Sequence, residues 1–248
     1  MLRSAIDILG YNLKALDGEI GKSKDFLFDD QHWAVRYLMA ETGRWLQGKR
    51  VLISPISIEQ PDRDARVFPV NLTKQQIEDA PNEGEDMPVS HKFEIEFFKY
   101  HQWPYYWNGG YPWGILIPME RTNMNKPAGR DSLDDIEGDK NLRSLNEVKG
   151  YNIQATDGHI GHVENLILDD ETWTIRYLVV DTRNWLPGKR VLVSPSWAEK
   201  IDWAKNTVDV NMSRDQIKNS PDYDDSKLMT RKFENSLFKY YGVPGYWL

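Results

Sequence analysis

A chain of 248 residues is long enough for two ordinary domains, and 40% hydrophobic with 28% charged residues is the composition of a water-soluble globular protein. A net charge of −7 sets the overall field against phosphate backbones and excludes a general nucleic-acid binder, although a local basic spot such as Lys49-Arg50 is compatible with it. The absence of cysteine excludes disulfides, thiolate nucleophiles and Cys-ligated zinc or iron–sulfur clusters.

The first residues, Met1 to Asp7, contain no apolar leader core, and no apolar run approaches the length of a membrane span; Ile115-Leu116-Ile117, for example, stops at Pro118. A cytoplasmic protein without a membrane span is expected. Tyr11, Leu13 and Ala15 alternate with polar residues before Asp17-Gly18, which predicts a strand entering a tight hairpin with positive φ at both central positions. The return strand, Glu19 to Phe28, carries Gly21, a residue that inside a strand marks a bulge or sharp bend. Asp29-Asp30 reads as the next turn. Trp33 to Glu41 reads as a long strand with Trp33, Val35, Tyr37 and Met39 on one face and Leu38 and Ala40 on the other.

A loop through Trp45 to Lys49 leads to a short strand, Arg50 to Ser54, and Arg66 to Val70 is one more. Short strands, frequent turns and bend glycines predict a small, highly curved barrel, which also removes exposed sheet edges. The period then changes. Thr73-x-x-Gln76 fits a capping box ahead of a helix ending near Pro81, and Phe93, Phe97 and Phe98 mark a second helix. Trp103-Pro104-Tyr105-Tyr106-Trp107 is an aromatic tail expected to strap the helices to the barrel.

The chain then repeats itself. Leu2-Arg3-Ser4 returns as Leu142-Arg143-Ser144, and Trp45-Leu46 with Gly48-Lys49-Arg50 returns as Trp185-Leu186 with Gly188-Lys189-Arg190, without an insertion or deletion. Roughly four in ten aligned positions are identical, the mark of a duplicated unit. Units at 1–108 and 144–248 follow, joined by 109–143. That join begins with an aromatic stretch containing Tyr111 and Trp113, and its distal part is acidic. About 119–141 reads as a linker.

The duplication supplies an internal test for chemistry, because a residue needed by the ancestral unit is expected in both copies. The five histidines fail it. His32, His91, His101, His159 and His162 have Thr172, Arg231, Tyr241, Glu19 and Lys22 as counterparts. His159-x-Gly161-His162 would clip a metal only if the strand bulged at Gly161, so no metal or cofactor is expected. No repeated Ser-His-Asp or Cys-His set and no phosphate-cradling loop is present, so no catalytic residue is assigned. Asp17/Asp157, Asp29/Asp169 and Asp30/Asp170 repeat, but Asp at such places reads first as turn chemistry. Trp45 and Trp185 beside Lys49-Arg50 and Lys189-Arg190 have two readings, a plug closing one end of the barrel, which is favoured, or a docking hot spot. As candidate partner contacts we take Trp45, Lys49, Arg50, Trp185, Lys189, Arg190, Tyr111 and Trp113.

With these residues laid out, the chain resembles the PRC-barrel family. The resemblance rests on Asn152-x-x-Ala155-x-Asp157-Gly158-x-Ile160-Gly161, Leu168-Asp169-Asp170, Trp173-x-Ile175-Arg176-Tyr177-Leu178-Val179-Val180-Asp181-Thr182 and Val191-Leu192-Val193-Ser194-Pro195. This is the small barrel of the photosynthetic reaction centre H subunit and of the C-terminal domain of the ribosome maturation factor RimM. The resemblance implies a mainly β fold of two tandem PRC-type barrels, each with a C-terminal helical and aromatic extension. It also implies a module that docks onto protein surfaces, whereas the particular roles of those two proteins do not carry over on fold alone. The expected function is a non-enzymatic scaffold or adaptor with two barrels as a pseudo-twofold pair, with homodimerisation as the natural extension. The alternatives are a small-ligand or metal sensor with a site between the barrels, and an accessory factor of a membrane or photosynthetic complex.

Overall fold

The computed structural model describes residues 1–82, 89–105, 141–182, 189–227 and 229–247. In the first repeat they form β1 (Leu2–Ser4), α1 (Ala5–Ile8), β2 (Asn12–Ala15), β3 (Gly18–Asp29), β4 (Ala34–Thr42), β5 (Arg50–Ile53), β6 (Val67–Pro69), α2 (Lys74–Glu78) and α3 (His91–Tyr100). The second repeat gives β7 (Leu142–Ser144), α4 (Leu145–Val148), β8 (Asn152–Ala155), β9 (Gly158–Asp169), β10 (Thr174–Asp181) and β11 (Arg190–Val193). It continues with β12 (Ala198–Asp202), β13 (Thr207–Val210), α5 (Arg214–Lys218) and α6 (Arg231–Tyr241). The fold is mainly β with short helices, as expected.

Compactness divides the chain differently from the repeat. One unit, the N-terminal barrel, is Ile8–Ser144 with Asp170–Thr174; the other, the C-terminal barrel, is Met1–Asp7, Leu145–Asp169 and Ile175–Leu248. The cause is an exchange of strands. In the N-terminal barrel the sheet runs β4-β3-β2-β6, with β5 on β4 and β7, from the second repeat, on β3. In the C-terminal barrel it runs β12-β13-β8-β9-β10, with β11 on β10 and β1, from the first repeat, on β9. The Leu-Arg-Ser strand of each repeat is thus spent on the other repeat's long strand.

Both bends fall where glycine was expected to place them. A Cβ at Gly21 would lie 2.0 Å from the Glu41 carbonyl oxygen, and one at Gly161 2.0 Å from that of Asp181, so only hydrogen fits where the long strand folds over its neighbour. The register of β2 on β3 slips beside Gly21, and that of β8 on β9 beside Gly161. The hairpin before them departs from expectation. Its two turn residues are Leu16 and Asp17, because Ala15 pairs with Gly18, and only Gly18 has positive φ. Asp17 turns outward to accept a hydrogen bond from the Lys74 amide at 2.8 Å, and Asp157 does the same for Arg214 at 2.7 Å. Each ties its hairpin to the start of a short helix, so the repeated aspartate belongs to capping as well as turning. The capping boxes themselves, Thr73 with Gln76 and Ser213 with Gln216, are complete in both repeats.

Trp33 begins no strand. Its φ of 54° puts it in the left-handed turn before β4, where its ring stacks on Phe28 at 5.4 Å. Arg66 likewise has φ 54°, so the strand after it starts at Val67 and runs parallel to β2. β4 is covered on both faces. Leu38 pairs with Phe26 on one side, and on the other Tyr37 and Leu27 meet Phe93, Phe97 and Phe98 of α3. Burying each of these phenylalanines is worth about 2 kcal/mol. That layer accounts for a helix whose first turn offers only a serine cap, Ser90. The same layer in the C-terminal barrel joins Tyr177, Ile167 and Leu192 to Leu237 and Phe238 of α6.

Candidate functional site

Under each of these helices lies a carboxylate that the sequence reading passed over. Glu94 on α3 is 1% exposed and Glu234 on α6 is 2% exposed, and each stands at the same place in its repeat. Glu94 accepts a hydrogen bond from the Tyr37 hydroxyl at 3.1 Å and from the Arg36 guanidinium at 3.3 Å, with His91 Nδ1 at 3.7 Å. Arg36 also grips Asp29. In the other barrel Glu234 accepts from the hydroxyls of Tyr177 and Tyr246, both at 2.8 Å, and pairs with Arg231 at 3.0 Å. Arg176, the counterpart of Arg36, lies over the Tyr246 ring at 4.0 Å and reaches Asp169 at 3.8 Å. A polar set is therefore duplicated after all: Asp, Arg and Tyr from the strands, Glu from the helix.

The electrostatics of this set are those of a locked network. Burial works to raise the Asp29 carboxyl, but the Arg36 charge and the amides of His32 and Gln31 outweigh it and hold it below its ordinary value. Burial, and then the Glu234 charge, push the Tyr177 phenol well above its ordinary range and that of Tyr246 up to about 12. These phenols donate and do not ionise near neutrality. The arrangement fastens helix to barrel.

The aromatic tails complete the fastening. Trp247 packs edge-on against Phe238 at 5.0 Å under Arg231, whose guanidinium lies 4.2 Å from the Trp247 ring. In the first repeat Trp103 packs on Phe97 and Phe98 and stacks on His101 at 4.3 Å. Burial there lowers the His101 imidazole to about 4. A histidine held neutral in the fold but charging near 6.5 when unfolded contributes stability that is complete above pH 6.5. That contribution falls away as pH drops from about 6.5 to about 4. His101→Tyr, which installs the residue of the second repeat, is expected to flatten this acid limb in urea midpoints measured between pH 7 and 4.

The predicted partner contacts divide sharply. Trp45 does not plug the barrel: it sits half-buried in a short turn, Arg44–Leu46, none of whose residues is buried, with the Lys74 ammonium 5.6 Å from its ring. Lys49 and Arg50 beside it are exposed, and among the described residues neither side chain forms an ion pair. Their counterparts are consumed internally. Lys189 reaches the Lys218 and Ser220 carbonyls at the end of α5, the latter at 2.7 Å, and Asp222 at 2.8 Å. Arg190 takes Glu164 and Asp225, each at 2.9 Å. For the arginine the reason lies in one cross-strand position. Glu164 of the second repeat is Lys24 in the first, where it pairs with Glu41 at 2.6 Å, and Arg50 acts on Glu41 only through its charge. Trp185, Tyr111 and Trp113 lie outside the described residues.

The residue that does fill a barrel interior is Trp173. It is 3% exposed and packs against Phe26 at 6.1 Å and Phe68 at 6.3 Å, inside the N-terminal barrel although it belongs to the second repeat. Its carbonyl accepts the Val35 amide at 2.8 Å, and Thr174 pairs with Ala34. An open groove of about 380 Å³ lies beside the Trp45 turn, lined by Asn12, Glu19, Lys22, Glu41 and the backbone at Gly21, Thr42, Gly43 and Gly48. Among the described residues no three histidine or carboxylate side chains are grouped to hold a metal, and no helix is long and apolar enough to cross a membrane.

Curved sheets with helices strapped across them define a β-barrel module. The PRC-barrel domain model matches residues 140–217, so the chain carries a PRC-barrel domain, and its fold and duplicated anchors are those of a β-barrel scaffold. No curated protein matches the sequence.

Proposed function

We propose that this protein is a non-enzymatic adaptor built from two PRC-barrels, residues 1–108 forming the second, and that it docks a protein partner through the Trp45 turn of the first repeat. The observation that carries the reading is the unequal use of one repeated motif. Lys189-Arg190 is locked by carbonyls and carboxylates of its own barrel. Lys49-Arg50, beside a half-exposed tryptophan, faces solvent. A tryptophan flanked by arginine is the composition of an interface hot spot, and two adjacent cations favour an acidic partner surface. The cytoplasm is the compartment this reading assigns.

The test is capture of partners on the immobilised chain from its native extract, beside Lys49→Glu/Arg50→Glu. A protein retained by the wild type and lost from the variant supports the reading. Equal retention by both places docking elsewhere.

A second reading, a small-ligand sensor, draws on the groove beside the same turn, whose volume is at the lower end for ligand pockets. A compound that raises the melting temperature of the wild type but not of Lys22→Glu would favour it over docking.

A further inference from the structure

The exchanged strands supply a different surface, for a different partner. β1 pairs antiparallel with β9 as Leu2 on Asp169, Arg3 on Leu168 and Ser4 on Ile167. β7 pairs with β3 in the equivalent register, Leu142 on Asp29, Arg143 on Phe28 and Ser144 on Leu27. The two donors are the same tripeptide, Leu-Arg-Ser, in the same register. Neither acceptor, moreover, is filled by the donor of its own repeat. Each barrel is completed by the strand of the other repeat.

Further contacts of the same sense surround these pairs. Asn165 donates to Ser4 Oγ at 2.8 Å and accepts the Ile6 amide at 3.2 Å, while Arg143 Nε meets Asp30 at 3.0 Å. Ser144 bonds Asp25, and Trp173 fills the space between Phe26 and Phe68. All of these join residues 2–105 to residues 141–247. One covalent connection, 106–140, links the two blocks, and each contact forms equally well whether the blocks come from one chain or from two.

We propose that a second copy of this chain is a partner, and that two copies form a homodimer by strand exchange, the first repeat of each completing the second repeat of the other. The contacts are then those already present, only redistributed, which makes exchange a low-cost route to a dimer. Covalent linkage favours the closed monomer by raising the effective concentration of the halves; folding at high chain concentration shifts the balance toward the dimer. The dimer therefore forms on folding and converts slowly, because reaching it requires both barrels to open.

The absence of native cysteine makes the exchange directly readable. Ser4 and Ile167 stand opposite each other, so their side chains share a face at disulfide reach. Ile167 is 1% exposed, so a thiol there is reached by the strand lying on it and not by chance collision. Full-length Ser4→Cys and full-length Ile167→Cys chains are refolded together and oxidised, with a chain carrying both substitutions refolded alone and dilute as the reference for closure within one chain. A reducible species of twice the chain mass in the mixture, growing with chain concentration and absent from either single variant refolded and oxidised alone, is the expected result. Single chains only, beside a reference that closes its own bond, overturn the proposal. The wild-type chain gives an independent reading: refolded at high concentration, it should yield a dimer that survives dilution and returns to monomer only through unfolding. A wild-type chain that remains monomeric after refolding at every concentration overturns the proposal as well. Neither readout involves Lys49 or Arg50, so failure here and failure of the docking reading are told apart.

Discussion

Glu94→Ala is expected to cost the N-terminal barrel about 3 kcal/mol or more, the effect of removing one partner from a buried charged network. The carboxylate is 1% exposed and faces an arginine whose side chain is 8% exposed. Its loss removes one charge partner of Arg36, which keeps Asp29, and one acceptor of the Tyr37 hydroxyl. Glu234→Ala should cost less, about 2 kcal/mol, because its cation, Arg231, has half of its side chain in solvent and is not stranded in the interior. It strips the acceptor from two tyrosines all the same. Urea unfolding of the two variants tests both the sizes and the order. An alanine at position 94 that unfolds within about 0.5 kcal/mol of wild type would mean that the network does not fasten the helix.

Trp173→Ala is the second large effect, about 3–5 kcal/mol for a buried tryptophan cut back to a methyl group. The cavity would open between Phe26 and Phe68, in the barrel made mostly of the other repeat. Its sequence counterpart, Trp33, stacks on Phe28 but is only half-buried, so Trp33→Ala should cost about 1 kcal/mol. Residues that the repeat makes equivalent thus differ several-fold in what they hold together. Equal losses at the two positions would contradict the placement of Trp173 inside the N-terminal barrel.

These two cases also mark how far the sequence can be read. Local chemistry was legible. The capping boxes, the bend glycines and the three phenylalanines of α3 are set by residues a few positions apart and stand where the pattern put them. Asp17 was placed in its turn, but its bond to the Lys74 amide depends on a helix 57 residues away. Trp33 reads as a strand residue by alternation, yet a left-handed φ takes it, like Trp173, out of the strand. Glu94 was missed because a carboxylate on an amphipathic helix reads as its solvent face. The signal that could have found it is its recurrence at Glu234, opposite the recurring Arg-Tyr of the long strand. The exchange of β1 and β7 lay beyond any local pattern, since the two donors are the same tripeptide and their pairing is set by the tertiary fold.

The same Lys-Arg pair is held by carbonyls and carboxylates of its own barrel in the second repeat and is exposed in the first. The direct measurement is the melting temperature of Lys49→Glu/Arg50→Glu beside Lys189→Glu/Arg190→Glu. The first should melt with the wild type. The second reverses charge against the α5 carbonyls, Asp222, Glu164 and Asp225, a loss of about 2 kcal/mol that lowers the transition by roughly 4–8 °C in a chain of this size. Equal melting of the two variants, or a larger drop in the first, would contradict the assignment of the Trp45 turn as the free docking surface.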